Sequence, residues 1–220
     1  MSNSHRRRLE DPLALLSRAA SKFRSLWLAW TYPFASIGKG FWLHHSCELS
    51  RSIANYIWIG DAVSLERDVW LNIPDVPRRG EPAIILEDGA TFQRRCMISA
   101  KNKVHIKRNI ICGPSALIMD HSLAFEDVAV PISRQGTTQG GTIRIEEGCW
   151  IGFGAVVVCD HGELVIGRNS VVGANTVVTR SVPPYSVVSG NPAKIVKQYD
   201  PSKGRWVLGS ARSAENEPLK

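Results

Sequence analysis

Two dipeptides in this chain place a carboxylate directly before an imidazole, Asp120-His121 and Asp160-His161. A neutral imidazole titrates near working pH, so it can take the proton of a hydroxyl as that oxygen attacks an electrophile. Asp120-His121-Ser122 opens a stretch rich in Pro, Gly and polar residues, 120–142, which reads as a long loop. Asp120 and Glu126 are the two carboxylates available to orient His121, and the sequence does not choose between them. His161 sits in Cys159-Asp160-His161-Gly162-Glu163 and is the competing base. His44 and His45 are adjacent, so on a strand they face opposite ways and cannot jointly clamp a metal from one side. His105, between Val104 and Ile106, is expected to face outward. The five cysteines occur singly, without a CxxC pair, and Cys47, Cys96 and Cys149 each follow an aliphatic position by four residues; they read as reduced core thiols. No serine or cysteine stands in a nucleophile elbow, which favours direct transfer over a covalent enzyme intermediate.

The element that must hold these groups is written in a six-residue rhythm. Aliphatic residues fall at Ile145, Ile151, Val157, Ile166, Val172 and Val178, with glycine often next and a small side chain four residues on. Neither an α-helix nor an ordinary sheet repeats every six; short strands joined by tight corners do, as in a parallel β-helix. The same phase runs back through Ile37, Leu43, Leu49, then Ile53, Ile59, Leu65, Leu71, then Leu86, Phe92, Ile98, Val104, and then Ile106, Cys112, Ile118. Residues 72–84 and 120–142 break it and are expected to be loops leaving otherwise regular coils. Between Val157 and Ile166 the hexad stretches to nine residues, which reads as a small bulge carrying His161. Loops leaving one edge of such a stack are where sites are built.

With Cys149-Trp150-Ile151-Gly152, Ile166-Gly167, Val172-Gly173-Ala174-Asn175, Val177-Val178-Thr179-Arg180 and Ser189-Gly190-Asn191-Pro192-Ala193-Lys194, the chain resembles the hexapeptide-repeat acyltransferases, notably the maltose and galactoside O-acetyltransferases and those that modify polysaccharides. The repeats cover residues 37–190, and the terminal GNPAK segment is the most specific part of the likeness. The resemblance implies an all-β, left-handed parallel β-helix, a homotrimer whose cofactor groove lies between neighbouring copies, and acetyl-CoA as cosubstrate without a metal. It implies His121 as the catalytic general base. Phe153, Gly154, Ala174, Thr179, Arg180, Lys194 and Lys197 are then the cofactor-binding set, with the Phe153–Gly154 amides candidates to hold the oxyanion. Phe153 stands where a serine often follows Trp-Ile-Gly, leaving backbone donation alone. Gln93, Arg94, Asp120 and Glu126 are the expected acceptor-site residues. The loop residues Ser133, Arg134, Gln135, Thr137, Thr138 and Gln139 offer a polar set for sugar hydroxyls. The implied reaction is O-acetylation of a saccharide, a surface polysaccharide or its precursor, with an acceptor carried on a lipid at the membrane among the candidates. Two alternatives stay open: an N-acetyltransferase of an amino-sugar nucleotide, and a noncatalytic or metal-dependent β-helix protein, although the metal-dependent kind needs a closely spaced histidine pair beyond the central repeats, which this chain lacks.

Length and composition, 220 residues with 44% hydrophobic content, fit one β-helix domain at 35–190, preceded by a basic arm and helix at 1–34 and followed by a segment at 191–220. From Pro12 to Trp30, Leu16, Ala19, Ala20, Phe23, Leu26, Trp27 and Trp30 keep helical spacing, while Arg18, Lys22, Arg24 and the preceding Arg6-Arg7-Arg8 are cationic. Such a helix either caps the open end of the first coil or rests on anionic lipid. The arm supplies much of the net charge of +7, and no nucleic-acid module or basic-aromatic strand surface accompanies it. No signal peptide or spanning helix is read, so the expected location is cytoplasmic, including the inner face of the cytoplasmic membrane.

Overall fold

The computed structural model describes residues 12–75 and 80–209. Arg6-Arg7-Arg8, the middle of the 72–84 loop and the end of the 191–220 segment lie outside the described residues. The chain is mostly β. Among the described residues the strands form three sheets of six, nine and five, and within the coiled region neighbours are parallel. Successive strands visit the first, second and third sheet in rotation, so that each coil of chain lays one short strand on each side of a three-sided stack.

The six-residue phase is the spacing between sides. Ile59, Leu86, Ile106, Ile145 and Ile166 are register partners up the first sheet. Leu43, Leu65, Phe92, Cys112, Ile151, Val172 and Val188 do the same in the second. Leu71, Ile98, Ile118, Val157 and Val178 complete the third. All point inward and are essentially fully buried, so each coil stacks its aliphatic side chains on those of the next. The small residues four positions on, including Cys47, Ala90, Cys96, Ala116, Cys149, Ala155 and Ser170, are buried in the corners. Burial pushes the thiols of Cys47, Cys96 and Cys149 up to about 11, and each donates to a carbonyl of the next coil.

Corners at the first two edges are tight, and they turn through the left-handed region at Ala62, Gly89, Asn109, Gly148 and Asn169 on one edge and at Arg95, Ser115, Gly154 and Asn175 on the other. Gly152 shows why glycine follows the aliphatic position: a Cβ there would stand 2.7 Å from the Ala174 nitrogen of the coil above. Six residues always separate the inward residues across these two edges, as from Ile106 to Cys112 and from Cys112 to Ile118. The third edge, which returns the chain to the first sheet, is elastic: it takes eight residues from Ile98 to Ile106 but twenty-seven from Ile118 to Ile145. Both long loops and the short Cys159–Gly162 bulge leave from this return edge.

Three features depart from the sequence reading. Ile53 is buried but lies on a 3-10 helix, Arg51–Tyr56, which closes the return edge of the first coil. His44 and His45 do not face opposite ways, because they follow the strand Trp42–Leu43 onto a corner where alternation no longer applies; their rings lie 4.2 Å apart, centroid to centroid. The residues after GNPAK form two further strands, Lys194–Asp200 and Arg205–Leu208, which extend the second sheet in antiparallel fashion.

The helix α1 (Pro12–Thr31) covers the free edge of the second sheet at the strand Trp42–Leu43, with the face opposite to its apolar stripe. That edge presents backbone N–H and C=O groups, and polar side chains are what can satisfy them. The Leu43 N–H donates to Ser25 Oγ (2.9 Å) and the His45 N–H to Ser21 Oγ (3.2 Å). The Arg24 guanidinium donates to the carbonyls of His45 and Cys47. Ser17 reaches His44 Nε2 at 3.0 Å, and Leu28 inserts into the core.

Candidate active site

The strand Leu117–Met119 of the third sheet ends at the return edge, and Asp120 and His121 are the next two residues. Asp120 is fully buried, and its carboxylate is held by the backbone of the coil below. Oδ1 accepts from the Lys101 N–H (2.7 Å), and Oδ2 from the N–H groups of Asn102 and Lys103 (2.8 Å each). Those three amides converge because the chain turns there between the strands Met97–Ser99 and Lys103–Ile106. A buried carboxylate without such donors costs several kcal/mol; three charge-assisted bonds of about 1.5–3 kcal/mol each offset that cost.

His121 Nδ1 lies 3.0 Å from Asp120 Oδ1. The ionised carboxylate only accepts, so Nδ1 carries the proton and the lone pair of the neutral ring sits on Nε2. The side chain of His121 is 8% exposed, which fixes the ring and leaves a narrow approach to it. Asp120 is also placed to stabilise the imidazolium that forms once Nε2 takes a proton. The alternative orienting group, Glu126, is exposed on the loop, where its Oε2 accepts the Phe125 N–H. Asp120 therefore lies beneath the imidazole rather than facing an acceptor.

The loop that follows is folded back on itself and tied to its base. Leu123 and Thr137 form an antiparallel bridge, Thr138 N–H donates to the Ser122 carbonyl, and the Ser122 N–H to Thr138 Oγ1. Lys101 Nζ donates to Thr137 Oγ1 (2.8 Å) and to the Thr138 carbonyl (2.6 Å), and lies 3.5 Å from Asp75 of the other long loop. Gln135 binds the backbone of Asp127 and Val130. Of the polar set expected to meet sugar hydroxyls, Gln135, Thr137 and Thr138 are thus engaged in shaping the loop, whereas its apolar Leu123, Phe125, Val128 and Ile132 are exposed.

The rival His161 is on the same edge one coil higher, and its Nδ1 lies 2.7 Å from Asp160 Oδ1. Its side chain is 93% exposed and that of Asp160 48%, so both groups are solvated.

The remaining expected site residues divide between two edges. Thr179 and Arg180 follow the strand Val177–Val178 onto the return edge, above His161. Gln93, Arg94, Phe153, Gly154 and Ala174 lie on the edge between the second and third sheets, at the opposite end of the third-sheet strands. The strand Val156–Val158 runs from one edge to the other, so the two lie roughly 10 Å apart. Lys194 begins its strand opposite Ser189 and belongs to the Phe153 edge; Lys197 lies further along the same strand. All of these residues except Gly154 are exposed. The Gly154 N–H donates to the Pro114 carbonyl at 2.9 Å, so it is not available to an oxyanion; the Phe153 amide has no acceptor among the described residues.

Among the described residues no group of three or more His, Cys, Asp or Glu is arranged to hold a metal ion. A cavity of about 630 Å³ lies away from His121, at the first coil, between Arg24, Glu48, Ser52 and Trp70.

Known proteins resembling this chain include ones named as acetyltransferases or acyltransferases. A probable acetyltransferase of Mycobacterium tuberculosis is 28% identical over 180 residues, 81% of this chain and 54% of that protein. WbbJ of Escherichia coli, named for lipopolysaccharide-biosynthesis O-acetyl transfer, is 28% identical over 133 residues, 58% of this chain and 66% of its own length. The chain thus spans between half and two thirds of these relatives. No protein-family model matches it. Among solved structures, a variant of AntD, an N-acyltransferase from Bacillus cereus complexed with dTDP and coenzyme A, aligns with a TM-score of 0.61 at 15% identity, covering 77% of this chain and 87% of AntD. A maltose O-acetyltransferase from Clostridium difficile aligns with a TM-score of 0.50 at 20% identity over 86% of this chain and 90% of that one. These two likenesses are of fold.

Proposed function

We propose that the protein is an acetyl-CoA-dependent O-acetyltransferase that acetylates a hydroxyl of a saccharide, with His121 as general base. The observation that carries this reading is the buried Asp120 carboxylate, cradled by three backbone amides and aligning the His121 imidazole at the root of the longest loop. Nε2 takes the acceptor's hydroxyl proton as its oxygen attacks the thioester carbonyl. The C–S bond then breaks, the imidazolium returns the proton to the departing thiolate, and coenzyme A leaves as the free thiol. A general base of this kind supplies about a hundredfold or more. The Phe153 amide is the remaining backbone donor for the oxyanion.

In this reading the coils wind as a left-handed β-helix and three copies pack side by side. The placement of the candidate residues on two edges supports the arrangement: His121, Thr179 and Arg180 of one copy would face Gln93, Arg94, Phe153, Ala174 and Lys194 of the next. The exposed Leu123, Phe125, Val128 and Ile132 on the His121 loop are apolar surface for that contact. Arg180 and Lys194 would meet the phosphates of coenzyme A.

Mixing the protein with acetyl-CoA and a panel of soluble and lipid-linked glycans, while following free thiol and the acetylated product, tests the reaction. Ester formation is expected; acetylation confined to free amines would move the protein to amino-sugar N-acetylation. Coexpressed His121→Ala and Lys194→Glu copies test the shared site. Each alone should be poorly active, and mixed assemblies should regain activity because one interface keeps both native residues. Absence of recovery would return the site to a single copy.

A further inference from the structure

The two placements expected of α1 call on different sides of the same helix, and the side turned away from the first coil is exposed. Ser17, Ser21, Arg24, Ser25 and Leu28 face the first coil. Leu16, Phe23, Leu26, Trp27 and Trp30 face outward, and Phe23, Leu26 and Trp30 are 72%, 65% and 87% exposed. At 3.6 residues per turn these outward side chains and Leu15 occupy roughly 120° of the helix circumference, so the face is one continuous stripe. A helix held to its own protein by its apolar side would have the reverse orientation.

We propose that this stripe docks α1 in the interface of a bilayer containing anionic phospholipid. The charge on the helix selects this occupant. Its ionisable residues within Pro12–Thr31 are Arg18, Lys22 and Arg24, all cationic; the wheel places Lys22 and Arg18 along one border of the stripe, while Arg24 is engaged with the carbonyls of His45 and Cys47. Lys22, exposed at that border, lies at headgroup depth when the stripe is immersed, where a cation meets lipid phosphate. Trp27 and Trp30, in the last turn, have the amphipathic rings that favour the same depth. No described helix is long and apolar enough to cross a membrane, so the helix lies along the surface. Immersion leaves the coils untouched, since the serine face keeps its bonds to the strand Trp42–Leu43. The inference does not depend on the acetyl-transfer reading: it concerns where the protein sits, whatever it acts on.

The full chain is sedimented with vesicles of phosphatidylcholine alone and of phosphatidylcholine mixed with phosphatidylglycerol. Partition into the mixed vesicles is expected to exceed that into neutral ones by about tenfold or more, and to fall with added salt. The variant Phe23→Gln/Leu26→Gln/Trp30→Gln should lose this partition by about tenfold or more, with an unchanged melting temperature, because the three side chains are mostly exposed. Failure of the parent chain to sediment, equal partition into both vesicles, or full retention by the triple variant would overturn the proposal. A smaller mass of the triple variant in light scattering would assign the stripe to a second copy and overturn it as well.

Discussion

Asp120-His121 and Asp160-His161 are the same dipeptide on neighbouring coils of one edge, yet they form different chemical objects. In both pairs Nδ1 lies within 3.0 Å of a carboxylate oxygen. What separates them is the environment. The Asp120 carboxylate takes three backbone N–H groups of the coil below and is fully buried, and His121 is 8% exposed; His161 is 93% exposed. In water a carboxylate and an imidazole interact weakly and exchange partners freely, whereas a desolvated pair holds one tautomer and one orientation. The Asp-His contact is thus not the site. The amide cradle beneath it makes the difference.

The histidines give the sharpest way to break this comparison. His121→Ala should lower the rate of thiol release about a hundredfold or more, close to 2.7 kcal/mol of barrier, with little change in melting temperature. His161→Ala should leave both unchanged. A large loss at His161 would exchange the two assignments.

Next come the carboxylates. Asp120→Asn replaces an acceptor by a donor in a nest of three amides, so it should destabilise the fold by about 1–3 kcal/mol and also lower activity through the misaligned imidazole. Asp160→Asn, on a solvated surface, should change stability by no more than about 0.5 kcal/mol. Paired thermal or urea melts decide; equal effects would mean that the cradle contributes nothing.

The smallest contrast lies in two glycines. Gly140 and Gly162 both have positive φ, near +76° and +68°, so alanine strains the backbone at either by about 1 kcal/mol. Only at Gly140 would the added Cβ also crowd its surroundings, 2.9 Å from the Asp120 carbonyl and 3.5 Å from His121 Cβ; at Gly162 it meets nothing within 4 Å. Gly140→Ala should therefore exceed Gly162→Ala in lost stability and alone reduce turnover. Identical losses would show that the loop base moves aside freely.

Much of the scaffold was readable from the chain because a six-residue period has one structural meaning, and every inward residue from Leu86 to Ile118 keeps its place. His121 was readable because it begins the longest break in that period. The cradle was hidden: Lys101, Asn102 and Lys103 contribute through backbone amides, which no side-chain pattern records. Helical spacing revealed the stripe on α1 but not which side faces the coil, since the free edge of a sheet demands hydrogen bonds and the serines supply them. His44 and His45 were misplaced by treating a corner as a strand. The strands Lys194–Asp200 and Arg205–Leu208 carry no hexad and left no comparable signal.

The unequal edges have a consequence for how such a protein can change. Two corners admit no change of length, because one added residue would turn every inward side chain after it out of the core. The return edge absorbs eight residues or twenty-seven without moving a single stacked aliphatic, and the entropic cost of closing a longer loop rises only slowly with length. Binding specificity can therefore be rewritten there by insertion, as a new blade fits an unchanged handle, while the imidazole keeps its place on a carboxylate held by amides of the coil below.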